Sequence, residues 1–227
     1  MNEVMELVLS ASFGFSVLRL TTPILLAALA SVISERVGVG NITMEGTMLI
    51  SAFTGVVVSA YSGSAWLGFL AGVLAGALSG YVLAYIIFKL QVDDILAGIA
   101  VNLLGSGGTV FFLFALTGVR GISTSLSSKV MPSVDIPLIK DIPVLGEIVS
   151  GHNIITYLSF LAVFVIWYLL FRTPLGLRIR SVGENPDAAK SVGVNVYKTK
   201  VIAFSIAGLL AGLAGGLYAL NIGFISS

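Results

Sequence analysis

Six long apolar stretches restrict this chain to folds in which helices cross a lipid bilayer. A helix needs about 20 apolar residues to span the hydrocarbon core. Stretches of about that length occupy residues 7–33, 42–60, 64–88, 95–116, 154–171 and 201–224. Only 10% of the 227 residues are charged, against roughly 25% in a soluble domain. The alternating pattern of a membrane β-barrel is absent from the sequence, so we predict an all-α bundle of about six transmembrane helices in one domain, residues 1–227.

The positions of Lys and Arg predict which ends of these helices face the cytoplasm. Residues 172–200 contain six basic and two acidic residues, and basic loops stay on the cytoplasmic side of a membrane. Counting back along the chain then puts Arg36 and Lys89 on that same side. The N-terminus and the 118–151 loop are predicted to lie outside. The N-terminal segment is acidic, which is atypical of a cleaved signal peptide, so we expect it to be retained.

Two series of glycines predict close contacts between helices. They are Gly68, Gly72, Gly76 and Gly80 in the third stretch, and Gly208, Gly212 and Gly216 in the sixth. Small residues let helix backbones approach one another in lipid, where the hydrophobic effect does not drive helices together. We expect the two series to form packing surfaces, either within the chain or against a second subunit, rather than a substrate path.

Polar residues at membrane depth are candidates for lining a pathway, because each is costly unless it is paired or faces a cavity. Asn41 and Glu45 begin the second stretch, and Asn102 and Ser106 share one face of the fourth. The alternative is that the amides cap or cross-link helices. For Glu45, pairing with Arg36 or with a backbone amide is the favoured interpretation.

The first stretch has a polar face at three- and four-residue spacing, formed by Glu3, Glu6, Ser10, Ser16 and Arg19. Pro23 follows and interrupts the helical pattern. We expect a kinked span whose polar face looks into the bundle. The alternative is a helix that lies in the membrane interface and ends near Arg19.

Two further sites have local interpretations. Asp93 and Asp94 open the fourth stretch, where carboxylates cap free amides and suit the helix dipole. His152 precedes the fifth stretch and is expected to be a loop residue on the outer side.

The sequence offers no catalytic constellation. It has one histidine, no cysteine and no convergent pair of acids, so we predict no nucleophile, metal site, cofactor or general base. A GxxxxGK[ST] phosphate loop is also absent. The sequence contains no basic patch with interleaved aromatic residues, so nothing in it indicates nucleic-acid binding. We therefore expect a protein that is not an enzyme and that depends on a partner or an ion gradient for energy.

The connection RTPLGLRIRSVGENPDAAKSVGVNVYKTK contains the signals of a short helix outside the bilayer. Asn185 is a good N-cap, Pro186 suits the first helical position and Asp187 suits the first turn. We predict a helix over residues 186–191, ended by Gly193 in a left-handed conformation. Ala188 and Ala189 would give it a small face for docking. A plain solvated loop is the alternative.

These residues carry a resemblance to a known family. The segment GLRIRSVGENPDAAKSVGVNV resembles the coupling loop of permease subunits of bacterial ABC importers for ribose-type sugars and nucleosides. The branched-chain amino acid permeases are more distant relatives. ISERVGVGNITMEGTMLISAF resembles the family's early signature, and VDDILAGIAVNLLGSGGT its fourth-span motif, with Asn102 at the family's asparagine. PVLGEI resembles an outer-loop segment of the nucleoside branch.

The resemblance implies alternating access in a bacterial cell membrane, with three protein partners. These are a cytoplasmic ABC ATPase, a second permease subunit and an external solute-binding protein, and the solute would be a nucleoside or a simple sugar. Coupling to the ATPase would involve Gly183, Glu184, Asn185, Pro186, Asp187, Ala188, Ala189 and Gly193. Family members usually continue with further spans, so we expect this chain to be a fragment. The alternatives are an ion-coupled transporter or channel, and a membrane scaffold.

Single cysteines test the topology, because the chain has none of its own. We expect Ser181→Cys and Ser191→Cys to react with a membrane-impermeant thiol reagent only from the cytoplasmic side. Ser133→Cys should react only from outside. Labelling of intact cells, compared with labelling of inverted vesicles, measures the side of each residue, and the reverse pattern would refute the orientation.

Overall fold

The computed structural model describes residues 11–118 and 150–222, and these residues form eight α-helices without a strand. The helices are α1 (Ala11–Arg36), α2 (Met44–Ser62), α3 (Ala65–Phe88), α4 (Asp94–Thr117), α5 (Ile154–Arg172), α6 (Pro174–Glu184), α7 (Pro186–Ser191) and α8 (Val196–Ile222). Six of them, α1 to α5 and α8, are long and apolar enough to cross a membrane. This confirms the predicted all-α fold. Most of the predicted outer loop, including PVLGEI, lies outside the described residues.

The start of α4 is fixed by its two aspartates. The Asp93 carboxylate accepts hydrogen bonds from the backbone N–H groups of Ile95 and Leu96, at 3.0 and 3.1 Å. Asp94 accepts a further bond from Ile95, at 3.1 Å. These bonds satisfy backbone donors that have no partner within the helix, and they confirm the predicted cap.

Helix α8 lies at the centre of the bundle, where it packs against α3, α2 and α1. It is the most deeply buried of the six spanning helices, and α4 is the least. Small buried residues such as Ala203, Ala207 and Ala211 let the neighbouring helices approach it closely. Phe204 fills the remaining space, with its ring 5.3 Å from that of Phe88 in an edge-to-face arrangement.

The two glycine series meet along the contact between α3 and α8. A Cβ atom built on Gly76 would lie 2.9 Å from the backbone nitrogen of Gly212. One built on Gly208 would lie 2.8 Å from the Cα of Gly80. The neighbouring atoms are backbone and have no rotamer to change, so glycine is required at these positions.

The first half of the α3 series, Gly68 and Gly72, contacts α2 instead. A Cβ atom on Gly72 would lie 2.8 Å from the carbonyl oxygen of Ser51, and one on Gly68 would lie 2.6 Å from the Cβ of Ser59. The Ser51 hydroxyl also donates a 2.7 Å hydrogen bond to the carbonyl oxygen of Gly212, which joins α2 to α8. Gly216 is less crowded, with the Phe69 ring at an ordinary 3.4 Å. Both series therefore pack within this chain.

The expectation for the polar face of α1 is wrong where the structure describes that helix. Ser16 and Arg19 are exposed, and the buried face is formed by Thr22, Leu26 and Ala30. The helix continues through Pro23. Hydroxyl groups on α1 bond to carbonyls of their own helix, Ser16 to Ser12 and Thr22 to Leu18, so they need no partner in the bundle. Glu3, Glu6 and Ser10 lie outside the described residues.

The glycine contact predicts that Gly76→Leu blocks folding of the chain. The new side chain would meet the backbone of Gly208 and Gly212, and overpacking of this kind costs about 1 to 3 kcal/mol or more. We expect loss of the monodisperse folded protein in detergent, measured by size-exclusion chromatography and thermal unfolding. Gly107→Leu is the matched control, because no atom lies within 4 Å of a Cβ atom at that position. A normal yield and unfolding temperature for Gly76→Leu would contradict the packing.

Candidate functional site

One end of the bundle gathers the segment 172–195 with the ends of two spanning helices. A Cβ atom on Gly38, just after α1, would lie 3.1 Å from the Cα and carbonyl oxygen of Gly183. The Lys200 ammonium lies 5.0 Å from the centre of the Phe88 ring, at the end of α3. Arg36, Lys89 and the long basic connection therefore share one end, as charge counting predicted. Assignment of this end to the cytoplasm stays a prediction.

The first part of the connection folds as α6, which sequence reasoning missed. The Thr173 hydroxyl accepts a 3.1 Å hydrogen bond from the Gly176 N–H, and Pro174 occupies the first turn. Ile179 and Val182 are fully buried on the side of α6 that packs in the hydrophobic core of the bundle. The signal was present in the sequence, since Thr173 and Pro174 form the same cap-then-proline pair as Asn185 and Pro186.

The predicted helix over residues 186–191 is confirmed as α7. The Asn185 side-chain oxygen accepts hydrogen bonds from the N–H groups of Asp187 and Ala188, at 3.1 and 3.0 Å. Gly193 follows the helix with φ +84°, in the left-handed region. The Val194 N–H then donates to the Ala189 carbonyl, at 3.0 Å. Both ends of this short helix are thus fixed by hydrogen bonds.

The two alanines of α7 have different surroundings, one buried and one exposed, which corrects the expected small docking face. Ala189 is 3% exposed and packs in the main hydrophobic core of the chain. Ala188 is exposed, together with Glu184, Asn185, Pro186, Asp187, Lys190 and Ser191. On a helix, adjacent residues point about 100° apart, so one can be buried while its neighbour faces solvent. The outward face of α7 therefore includes Ala188 and excludes Ala189.

Gly183, at the end of α6, is a packing residue. A Cβ atom there would collide with the carbonyl oxygen of Arg36 and would lie 3.1 Å from the backbone nitrogen of Gly38. The end of α6 thus rests on the end of α1, backbone against backbone. Displacement of α6 and α7 would therefore displace the end of α1.

Asn102 joins α4 to the start of α2. Its side-chain oxygen accepts a 2.8 Å hydrogen bond from the Gly46 N–H, and its side-chain nitrogen donates a 2.8 Å bond to the Ile42 carbonyl. The N-cap residue of α2, Thr43, supplies no side-chain cap. Instead its N–H and hydroxyl both donate to the side-chain oxygen of Asn41, at 3.0 and 2.7 Å. Asn102 therefore caps α2 from a different helix.

The helices touch directly at this point. A Cβ atom on Gly46 would lie 2.7 Å from the Cα of Asn102, and one on Gly105 would lie 2.7 Å from the carbonyl oxygen of Gly46. Two of the sequence motifs, one around Gly46 and one around Asn102, thus meet in space. The close approach is what brings the Asn102 amide within reach of the α2 backbone.

Three of the four residues proposed to line a pathway form side-chain hydrogen bonds within the described residues, and Glu45 does not. Asn41 and Asn102 are engaged as described above, and the Ser106 hydroxyl donates to the carbonyl of Asn102, at 3.0 Å. Glu45 is exposed in the first turn of α2. Its predicted pairing is not formed, since its carboxylate has no ion pair with Arg36 and no backbone donor in the described ranges.

A cluster of buried polar side chains at the start of α5 was also missed. The cluster comprises Ser150, His152, Asn153, Thr156 and Ser159. His152 precedes the helix, as expected of a loop residue, but it is only 3% exposed, and its ring stacks on that of Phe15 at 3.9 Å. The signal for the start of α5 was Asn153, which caps it by accepting a 3.1 Å bond from the Ile155 N–H.

The Asn102 cross-link predicts a loss of stability in Asn102→Leu. The substitution leaves the Gly46 N–H without its cap and the Ile42 carbonyl without its donor. Such losses cost about 2 kcal/mol together, which thermal unfolding in detergent measures. Ser106→Ala is the control, because that hydroxyl bonds only to carbonyls of its own helix, and its unfolding temperature should change little. Equal unfolding temperatures for wild type and Asn102→Leu would refute the cross-link.

Residues 14–227 match the family described as branched-chain amino acid transport system / permease component. The guanosine ABC transporter permease protein NupQ of Bacillus subtilis is 40% identical over 209 residues, which cover 88% of this chain and 64% of that protein. The nucleoside ABC transporter permease protein NupC of Lactococcus lactis is 34% identical over 208 residues, which cover 88% of this chain and 64% of that protein. TsgC13 of Haloferax volcanii, provisionally named a glucose ABC transporter permease, is 37% identical over 198 residues. These residues cover 86% of this chain and 58% of that protein.

The chain thus spans less than two thirds of the length of these relatives. No solved structure matches it. The family match extends through all six candidate spanning helices and through the capped segment that contains α6 and α7. This chain is a multi-pass membrane protein that belongs to the permease-component family of branched-chain amino acid transport systems.

Proposed function

We propose that this chain is a permease subunit of an ATP-driven ABC importer, and that α7 is the element on which a cytoplasmic ATPase acts. The observation that carries the proposal is the form of α7. It is a short helix outside the spanning helices, hydrogen-bonded at both ends, with one face exposed and the other, through Ala189, packed in the core. A partner that binds the exposed face would therefore act on a rigid part of the bundle.

The contacts of α7 and α6 supply a route for that action. Ala189, Val182 and Ile179 share one hydrophobic core with Leu26 of α1 and Phe204 of α8. Gly183 also rests on the backbone at the end of α1. An ATPase can bias the two states of the permease only if it contacts α7 differently in each. Because α6 and α7 are packed on α1 and α8, a difference at α7 reaches the spanning helices.

The remaining partners follow from the family and from the ABC names of the relatives. We propose a second permease subunit that completes the pathway, a solute-binding protein outside, and a location in the bacterial cytoplasmic membrane. In this arrangement ATP hydrolysis belongs to the separate ATPase. The ion-coupled alternative has no support among the relatives, which carry ABC transporter names.

We propose that the solute is a nucleoside or a simple sugar, both of which are hydroxyl-rich and contain a sugar ring. The names of the relatives support this class, since two refer to nucleosides and one to glucose. Asn41, Glu45, Asn102 and Ser106 stay proposed as pathway residues. The geometry favours Glu45 among them, because its carboxylate is exposed and could accept bonds from sugar hydroxyls.

The test is Ala188→Trp, which places bulk on the exposed face of α7 and leaves the core intact. We expect the variant to keep its unfolding temperature and membrane insertion. Stimulation of ATP hydrolysis by liganded binding protein should fall about tenfold or more, and uptake of labelled nucleoside should fall with it. An overpacked contact of about 1 to 3 kcal/mol would account for such a loss. The measurement uses proteoliposomes that contain the complete transporter.

The neighbouring substitution Ala189→Trp separates coupling from folding. Ala189 is buried in the chain's own core, so its replacement should lower the unfolding temperature of the isolated chain. Ser62→Trp is the control. Ser62 is the exposed last residue of α2, just before the turn at Gly63, and its replacement should change neither stability nor coupling. Full ATPase stimulation and uptake in Ala188→Trp would show that α7 is not the coupling element.

A further inference from the structure

A polar cavity of about 640 Å³ lies beside α7, where α3 ends and α8 begins. Its wall combines side chains of α7 and α8 with residues of the α3–α4 and α7–α8 connections. The polar side chains of the wall are Gln91, Asp187, Lys190, Asn195, Tyr197 and Lys200. The cavity is separate from the exposed Ala188, which does not line it.

The charge of this wall is positive and is not balanced by the described chain. Lys190 and Lys200 face one acidic residue, Asp187. Neither ammonium forms an ion pair with any residue in the ranges 11–118 and 150–222. Lys200 is partly buried, with its ammonium 5.0 Å from the centre of the Phe88 ring. A partly buried charge is costly without a counter-charge, so the cavity is suited to an anion.

The level of the cavity along the bundle indicates where that anion comes from. Phe88 is the last residue of α3, and Lys200 is in the second turn of α8. The cavity therefore lies where apolar spanning segments give way to polar connections, which is the level of lipid headgroups.

An apolar groove is lined, like the cavity, by a residue of the α3–α4 connection. It has a volume of about 580 Å³ and lies between α2, α3 and α4, with Ile86, Val92 and Leu104 in its wall. Gln91 lines the polar cavity, and the next residue, Val92, lines the groove. The basic cavity and the apolar groove are thus lined by consecutive residues, in the same order as the headgroup and acyl chain of a phospholipid.

We propose that the cavity and the groove together bind one anionic phospholipid. Its phosphate lies between Lys190 and Lys200, and one acyl chain lies in the groove. Lysine binds phosphate as a point charge, and basic pockets at the cytoplasmic level of membrane proteins select anionic headgroups. The site does not depend on which solute the transporter carries. Since Lys190 belongs to α7, the bound lipid would also tie the proposed coupling helix to the membrane.

The experiment measures lipid retention by the full chain in detergent, using native mass spectrometry. Dioleoylphosphatidylglycerol and dioleoylphosphatidylcholine are offered at equal concentration, and we expect about tenfold preference for the anionic lipid. Lys190→Ala combined with Lys200→Ala should abolish that preference. Lys198→Ala is the matched control, because Lys198 is exposed nearby and does not line the cavity. Lys190→Glu changes the charge of the wall by the same amount through one exposed residue of α7, so it should also abolish the preference without disturbing the fold.

Three outcomes would overturn the proposal. Equal preference in wild type and in Lys190→Glu would show that this lysine does not bind the headgroup. Displacement of the lipid by glycerol 3-phosphate at equal concentration would show a site for free phosphate. Loss of ATPase binding in Lys190→Glu with an unchanged lipid preference would assign the cavity to the protein interface.

Discussion

Backbone contact between glycines of α3 and α8 is the constraint on which the rest of the bundle depends. The hydrophobic effect does not drive helices together in lipid, so they are held by close packing and hydrogen bonds. Gly76 and Gly80 bring the two backbones together, and Ser51 adds α2 through its bond to the Gly212 carbonyl. This three-helix centre positions α1 and α4, and α1 in turn supports α6 and α7.

The parts of the fold that sequence predicted are those with local signals. Apolar length defines a spanning helix without knowledge of its neighbours, and caps such as Asp93 and Asn185 act within three residues. The glycine series also predicted close packing without knowledge of the partner helix, because small residues at regular spacing leave a groove on the helix surface wherever the helix is placed. Even the missed helix α6 had such a signal at Thr173.

The parts that sequence could not predict are relations between distant residues. Nothing local distinguishes Ala188 from Ala189, and only the position of α7 against the core buries one and exposes the other. In α1, the spacing of Ser16 and Arg19 suggested that these residues face the bundle. The structure instead exposes them and buries another side of the helix. In the candidate site, the motif around Asn102 was recognised, while its capping of α2 required the two helices to be seen together.

The cap that α4 supplies to α2 has a consequence for the order of events during synthesis. Gly46 precedes Asn102 by 56 residues, so α2 leaves the ribosome before its acceptor has been made. Until α4 enters the membrane, the first turn of α2 needs water or the insertion machinery to satisfy that N–H group. The start of α2 is therefore a late-maturing point of the nascent chain, completed only when α3 has turned back and α4 has arrived beside it.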